Sequence, residues 1–328
     1  MYLFTHHVEL GNSNNRLSSL LKKRFIFTFL FALSIILLNA CGGGGGGGGG
    51  DVGEDGGGDG GNTPPDTSLV LKGVAQKGLF TQLTVKAFPL QNSNGEMGEE
   101  VTTSSTSSNY EITVPDSGFY QLEASGTYIN EVSGVEETLD EPLLSVIEVD
   151  EASENSNINL LTHLAATQVL SNVAQGETVA QAIAAAEVFV EQTLGLVAST
   201  DLTQLDMTAI SAEATIDDAN LQLLLFSAAV LQNADNNDLP VLGDVITGFG
   251  AYTSPTEAAA GLSVLSGYGA AALFELVQPN LPQLPATLAV LTTTQPVLLC
   301  ELGTSCSWQV FNSRTVSLLG DTILESDG

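Results

Sequence analysis

The stretch YEITVPDSGFYQLEA, residues 110–124, holds two apolar alternations separated by a turn. Tyr110, Ile112 and Val114 fall on one face of the first run. Tyr120, Leu122 and Ala124 fall on one face of the second. Period two buries one face of a strand and wets the other. Pro115-Asp116-Ser117-Gly118 is a strong turn sequence. The reading is a hairpin, with Phe119–Ala124 returning as the partner of Tyr110–Val114.

Working outward, Leu83-Thr84-Val85-Lys86-Ala87 alternates in the same way, and Leu143–Val149 is a further apolar run. Short strands and turns from 69 to 150 predict a small antiparallel β-sandwich. From Asn157 the period becomes helical. Leu161, Ala165, Val169 and Val173 form an i+4 row with Leu164 beside it. Gly176 can end that helix, and Thr178-Val179-Ala180-Gln181 opens another as a capping box, with Gly195 at its end. Thr215 is read as the cap of a third helix, with Asp217 and Asp218 at its positive end. Leu221–Val230 is apolar nearly all round, so that helix is central. Ser254-Pro255-Thr256-Glu257 opens a fourth, with a break expected at Gly267–Gly269. The expected class is α+β: the sandwich, then an all-α domain over 151–295, then a hairpin over 296–328. A three-residue turn around Gly303 would set Cys300 opposite Cys306, and export to an oxidising compartment favours a disulfide between them. The chain stops just after a strand-like segment, as a C-terminal fragment would.

The N-terminus has its own logic. Lys22, Lys23 and Arg24 precede a 14-residue apolar run, Phe25–Leu38. A membrane span needs about 20 such residues. A basic block, a short apolar run and a small residue before the cut describe a signal peptide over 1–40. The residues before Lys22 are superfluous to it, so a later start also fits. Leu38-Asn39-Ala40-Cys41 resembles the lipobox of bacterial lipoproteins. That resemblance implies cleavage before Cys41, lipid on its thiol and new amine, and, with Gly42 rather than aspartate following, anchoring in the outer membrane. Two or three acyl chains hold durably where one does not. Residues 41–68 are a glycine-rich tether, with 15 glycines between 42 and 61. It is expected to be disordered, with an r.m.s. span of about 25–30 Å.

The first module resembles the carboxypeptidase-regulatory-like, transthyretin-type family. The resemblance rests on Gly73-Val74, on Tyr110–Pro115 and on Gly118-Phe119-Tyr120-Gln121-Leu122. It implies a non-catalytic spacer or binding unit.

Beyond Cys41 only Lys72, Lys77, Lys86 and Arg314 are basic, against 37 acidic residues. A nucleic acid needs Lys and Arg contacts, which excludes that partner class. An anionic headgroup surface is repelled, so membrane attachment must come from the lipid. No catalytic constellation stands out. His163 is the single histidine after the leader, is read as a helix-surface or interdomain residue, and has no ligand set around it for zinc. Gly261-Leu262-Ser263-Val264-Leu265 lacks the second glycine of a nucleophile elbow. Asp235-Asn236-Asn237-Asp238 runs into Leu239-Pro240, which breaks a calcium loop and leaves a solvated acidic loop. Glu136-Glu137 and Asp140-Glu141 are the carboxylate pairs that would serve a hydrolase. The expectation is a non-catalytic envelope lipoprotein without cofactor or metal, displayed to bind a protein or polysaccharide. A tethered hydrolase of a surface polymer and a structural subunit of an envelope complex are the alternatives.

Overall fold

In a computed structural model the described residues are 68–150, 154–237, 246, 248–301 and 303–310. The leader, Cys41, the tether up to residue 67, Asp238-Leu239-Pro240 and the segment 311–328 lie outside them. Strands come first: β1 Leu69–Val74, β2 Leu79–Leu90, β3 Val101–Ser105, β4 Asn109–Val114, β5 Gly118–Ile129, β6 Glu136–Thr138, β7 Leu143–Val149 and β8 Glu154–Asn155. Helices follow: α1 Leu160–Ala174, α2 Val179–Leu194, α3 Ala219–Asn237, α4 Pro255–Gly261, α5 Ala270–Val277 and α6 Ala289–Thr294. Strands β9 Val297–Cys300 and β10 Cys306–Gln309 make a hairpin after them. The chain is α+β, as the switch from period two to helical spacing predicts.

The turn at 115–118 is present, but the strands it joins do not pair. β4 pairs antiparallel with β1, Ile112 facing Leu71. β5 pairs with β2 on one side and with β7 on the other, Leu122 facing Ala87 and Ser145. The expected hairpin is therefore a crossing between two sheets. One is three-stranded, in the order β4-β1-β8; the other is five-stranded, built from β3, β2, β5, β6 and β7. β5 is 12 residues long and matches the 12-residue β2, whereas β4 has only six residues to offer. Gly118 has φ +146°, a conformation open to glycine, and lets the chain leave one sheet for the other. Tyr120 Oη donates to the Asp116 carbonyl at 2.8 Å and fastens the corner.

The helix starts follow local chemistry. Asn159 caps α1, accepting from Leu161 and Thr162 N–H groups, and Thr162 answers with its own side chain. Thr178 and Gln181 form the capping box of α2, and Gly195 ends it with φ +62°. The cap of α3 is Asp218, not Thr215: its Oδ1 accepts from Leu221 N at 3.1 Å. A carboxylate at that end also gains from the helix dipole, which a hydroxyl does not. α1 is buried on more than the expected row, because Leu160, Thr162, His163, Ala166 and Gln168 are covered too. It lies against β7 on one side and α2 on another. α3 runs on through Asp235, Asn236 and Asn237, so these three residues, read as part of an acidic loop, end the helix instead.

The described elements lie within one compact unit, Pro64–Gly328. Buried apolar side chains from both sheets, the helices and the closing hairpin form one connected cluster running from Leu71 to Cys306. Burial at about 25 cal/mol per Å² of apolar surface makes this cluster the main source of stability. Residue 150 marks a change of secondary structure, and a second, smaller cluster packs Ala166, Val169, Val179, Ala182 and Ala186 of the helices with Leu90 and Val146 of the strands.

Candidate functional site

A surface groove of about 840 Å³ lies beside the three-stranded sheet. Its lining is mostly uncharged and polar: Thr103, Ser104, Ser105 and Ser107 from β3 and the loop after it, Asn109 from β4, and Asn155, Asn157 and Gln204. The alternation of β3 sets this up, because its residues are exposed or half-exposed throughout. Several lining groups are held by the backbone. Asn157 Oδ1 accepts from Val74 N at 2.9 Å, and its Nδ2 donates to the Leu205 carbonyl at 3.1 Å. Gln204 Nε2 donates to the Asn155 carbonyl at 2.8 Å. Three charged residues also line it: Lys72, with Nζ 3.1 Å from Glu111 Oε2, and Asp206, whose Oδ1 accepts from Gln76 Nε2 and Thr208 N. Tyr110 lines the groove, but its hydroxyl is committed to the Ser156 carbonyl.

A second cleft, about 540 Å³, is bounded by β7, α2 and residues 199–203. It collects four carboxylates, Glu148, Glu187, Glu191 and Asp201, over apolar walls that include Val146 and Ile183. Burial raises the Glu187 carboxyl above its ordinary range, and the charges of Asp201 and Glu191 push the same way. Glu191 Oε1 accepts from Thr200 N at 2.6 Å, and Asp201 Oδ1 accepts from Thr203 N at 3.0 Å.

The third feature is deep. Lys77 and Glu131 are both fully buried, with Nζ 3.5 Å from Oε1. Ser227 of α3, also fully buried, sits between them. Its Oγ accepts from Lys77 Nζ at 3.1 Å and donates to Glu131 Oε1 at 2.6 Å. Desolvation lowers the Lys77 pKa, and Glu131 opposes it. Gly78 makes this approach feasible. With φ +70°, a Cβ there would lie 1.9 Å from the Ile129 carbonyl oxygen and 3.0 Å from Glu131 Oε2.

The sequence-predicted positions fare differently. His163 is 4% exposed, not on a helix surface. It packs into the seam between α1 and β7, where Leu144 N donates to its Nδ1 at 3.2 Å. Burial pushes its pKa down to about 4. A side chain locked as a neutral acceptor is a structural link. The pair Glu136-Glu137 is split: Glu136 Oε1 accepts from Thr81 Oγ1 at 2.6 Å, while Glu137 accepts from Tyr128 and Asn130. Strand alternation sends neighbouring side chains to opposite faces. Cys300 and Cys306 form a disulfide and face each other in register, across a connection of residues 301–305 rather than three. Cys41 is outside the described residues. Among the described residues no group of three or more His, Cys, Asp or Glu side chains is arranged to hold a metal ion. Likewise, no described helix is long and apolar enough to cross a membrane.

The acid cleft and the Lys77 cluster escape sequence reasoning because their members come from β1–β2, β5, β7, α2 and α3. The one local signal for the cluster was a lone lysine before a glycine, between two strands, in a chain otherwise poor in cations. No family model, no curated protein and no solved structure matches this chain.

Proposed function

We propose that the protein is a non-catalytic cell-envelope lipoprotein, anchored through Cys41, that binds a neutral polysaccharide in the groove beside β1, β4 and β8. The observation that carries this reading is the groove's lining. Hydroxyl and amide groups of Thr103, Ser104, Ser105, Asn109, Asn155 and Gln204 supply donors and acceptors without net charge. A polyhydroxylated chain asks for such a surface. An anionic polymer would find only Lys72, already paired with Glu111. In the same reading the two sheets are the layers of a small sandwich of the carboxypeptidase-regulatory-like kind, carried on the glycine tether at the outer membrane.

Titration calorimetry with neutral glucans, mannans and galactans tests the groove. Binding by one of them, weakened about fivefold in Asn109→Ala or Gln204→Ala, supports it, since one lost neutral hydrogen bond is worth about 1 kcal/mol. Binding left unchanged by both substitutions would move the site elsewhere. Anchoring is tested separately: inhibiting the lipoprotein signal peptidase should accumulate a precursor, and mass spectrometry should find acyl groups on Cys41.

A second reading has one observation in its favour. The raised carboxyl of Glu187 beside Asp201 and Glu191 is the arrangement a general acid needs, so a hydrolase would use this cleft. Release of reducing sugar by the wild type but not by Glu187→Gln would establish it.

A further inference from the structure

We propose that Lys77 and Glu131 condense into an intramolecular amide, a covalent cross-link between the β1–β2 corner and the segment following β5. Three observations converge on these two side chains. They are fully buried and in contact, with Nζ 3.5 Å from Oε1. Ser227 Oγ bridges them, accepting from the amine and donating to the carboxyl oxygen. Glu131 Oε2 is buried and has no hydrogen-bond partner.

The last point is decisive for the chemistry. An ionised carboxylate in a dry interior needs its lone pairs satisfied, and one orphan oxygen leaves part of the charge uncompensated. Proton transfer from Lys77 to Glu131 opens the reaction, giving a carboxyl and the neutral amine that burial of Lys77 favours. Those two forms are the reactants of amide formation. The amine lone pair attacks Cδ of Glu131. A C–N bond forms and the bond from Cδ to Oε1 breaks. Ser227 relays one amine proton to Oε1, so that oxygen leaves as water with the carboxyl proton and the relayed one. Oε2 remains as the amide carbonyl oxygen, neutral and far cheaper to leave unpaired than half a carboxylate. No oxidant, metal or cofactor enters the balance.

The fold supplies the rest. Held in contact, the groups react as if at very high concentration. Exclusion of water, which is the product, favours condensation over hydrolysis. Gly78 lets the two backbones approach closely enough, since its ideal Cβ would fall 1.9 Å from the Ile129 carbonyl oxygen. Asn280 Nδ2 donates to the Glu131 carbonyl at 3.0 Å and fixes that backbone from α5's end.

Peptide mapping of the purified full chain is the test. After reduction and chymotryptic digestion, the expected product is a branched peptide joining the Lys77 and Glu131 segments, lighter than their sum by one water. Recovery of both segments as linear peptides from folded wild-type protein overturns the proposal. Lys77→Arg removes the nucleophile and should abolish the branched peptide. The same mass deficit persisting in Lys77→Arg places the condensation elsewhere and also overturns it. Ser227→Ala should slow cross-linking at least tenfold in a refolding time course, and an unchanged rate overturns the proton relay.

Discussion

Glu131 and Glu187 are both glutamates withdrawn from bulk water, in opposite company. Glu131 is fully buried against one cation and one hydroxyl, with its remaining oxygen unpartnered. Glu187 is half-buried at the edge of a cleft, among other carboxylates. Around Glu131, desolvation acts on two opposite charges together and can be removed by proton transfer between them. Around Glu187, desolvation and repulsion add, and proton uptake from solvent is the relief. The first arrangement ties elements together; the second keeps a carboxyl available. In a chain so rich in acids, position rather than number separates these roles.

The largest expected effect breaks the first half of that comparison. Glu131→Ala prevents the amide and leaves the Lys77 amine buried with only the Ser227 hydroxyl, and should cost about 3–5 kcal/mol of stability. The combined replacement Lys77→Met, Glu131→Leu, Ser227→Ala should recover the part due to the stranded amine, because an apolar trio of similar volume carries no desolvation penalty, but not the part due to the lost cross-link. Urea unfolding of the three proteins measures both. If the single and triple variants are equally destabilised, packing rather than charge dominates the corner.

His163 offers a third case, an ionisable group buried with no charge beside it in its seam. Its pKa falls from 6.5 to about 4 because burial opposes the imidazolium. Above about pH 6.5 it is neutral folded and unfolded, and contributes no pH dependence. As pH falls from there toward about 4, the unfolded chain binds the proton first, so stability drops. The loss is on the order of 3 kcal/mol by the bottom of that window. Unfolding curves across this range should show a shallower slope for His163→Gln than for the wild type. Equal slopes would mean that the imidazole is reached by water.

Much of the fold is written locally, and these elements were legible. The capping box at Thr178 and Gln181, the αL glycine at 195 and the alternation of Leu83, Val85 and Ala87 each depend on neighbours in sequence. The partner of β4 was not legible. Tyr110–Val114 shows which face is buried but not which strand lies beside it, and a turn permits either a hairpin or a crossing between sheets. The cap of α3 was placed three residues early, because Thr215 and Asp218 are both good caps and only the Leu221 N–H selects between them. The groove and the cleft were invisible for a stronger reason: Ser104, Asn109, Asn155 and Gln204 are ordinary polar residues until the sheet and the segment after α2 bring them together. The register of Cys300 and Cys306 was legible, since a short loop between two apolar strands leaves few alternatives.

That disulfide sharpens the comparison by showing what a cross-link contributes within one short hairpin, with both cysteines buried. Cys300→Ser with Cys306→Ser should lower stability by about 2–2.5 kcal/mol, the chain-entropy value for so short a loop. The hairpin should persist without it. Leu298 N donates to the Tyr268 carbonyl at 2.9 Å, and Gly267 N to the Leu298 carbonyl at 2.8 Å, so β9 keeps its attachment to the body. Thermal unfolding with and without reductant measures the difference, and β9 amides that lose protection on reduction would show that the hairpin depends on the bond.

The smallest effect addresses Glu187. At neutral pH its ionised form meets an unfavourable environment, first through burial and then through Asp201 and Glu191. A carboxyl whose folded pKa lies above its unfolded value stabilises the protein when protonated, and that contribution is lost as pH rises through the folded pKa. Glu187→Gln keeps the size and removes the charge. It should therefore be neutral in acid and stabilising by a few tenths of a kcal/mol above the raised pKa, with solvent and salt screening most of the gain. The sign separates this glutamate from Glu131, whose removal destabilises at neutral pH. A destabilised Glu187→Gln at neutral pH would mean that the carboxylate has a stabilising partner, and would erase the contrast between the two sites.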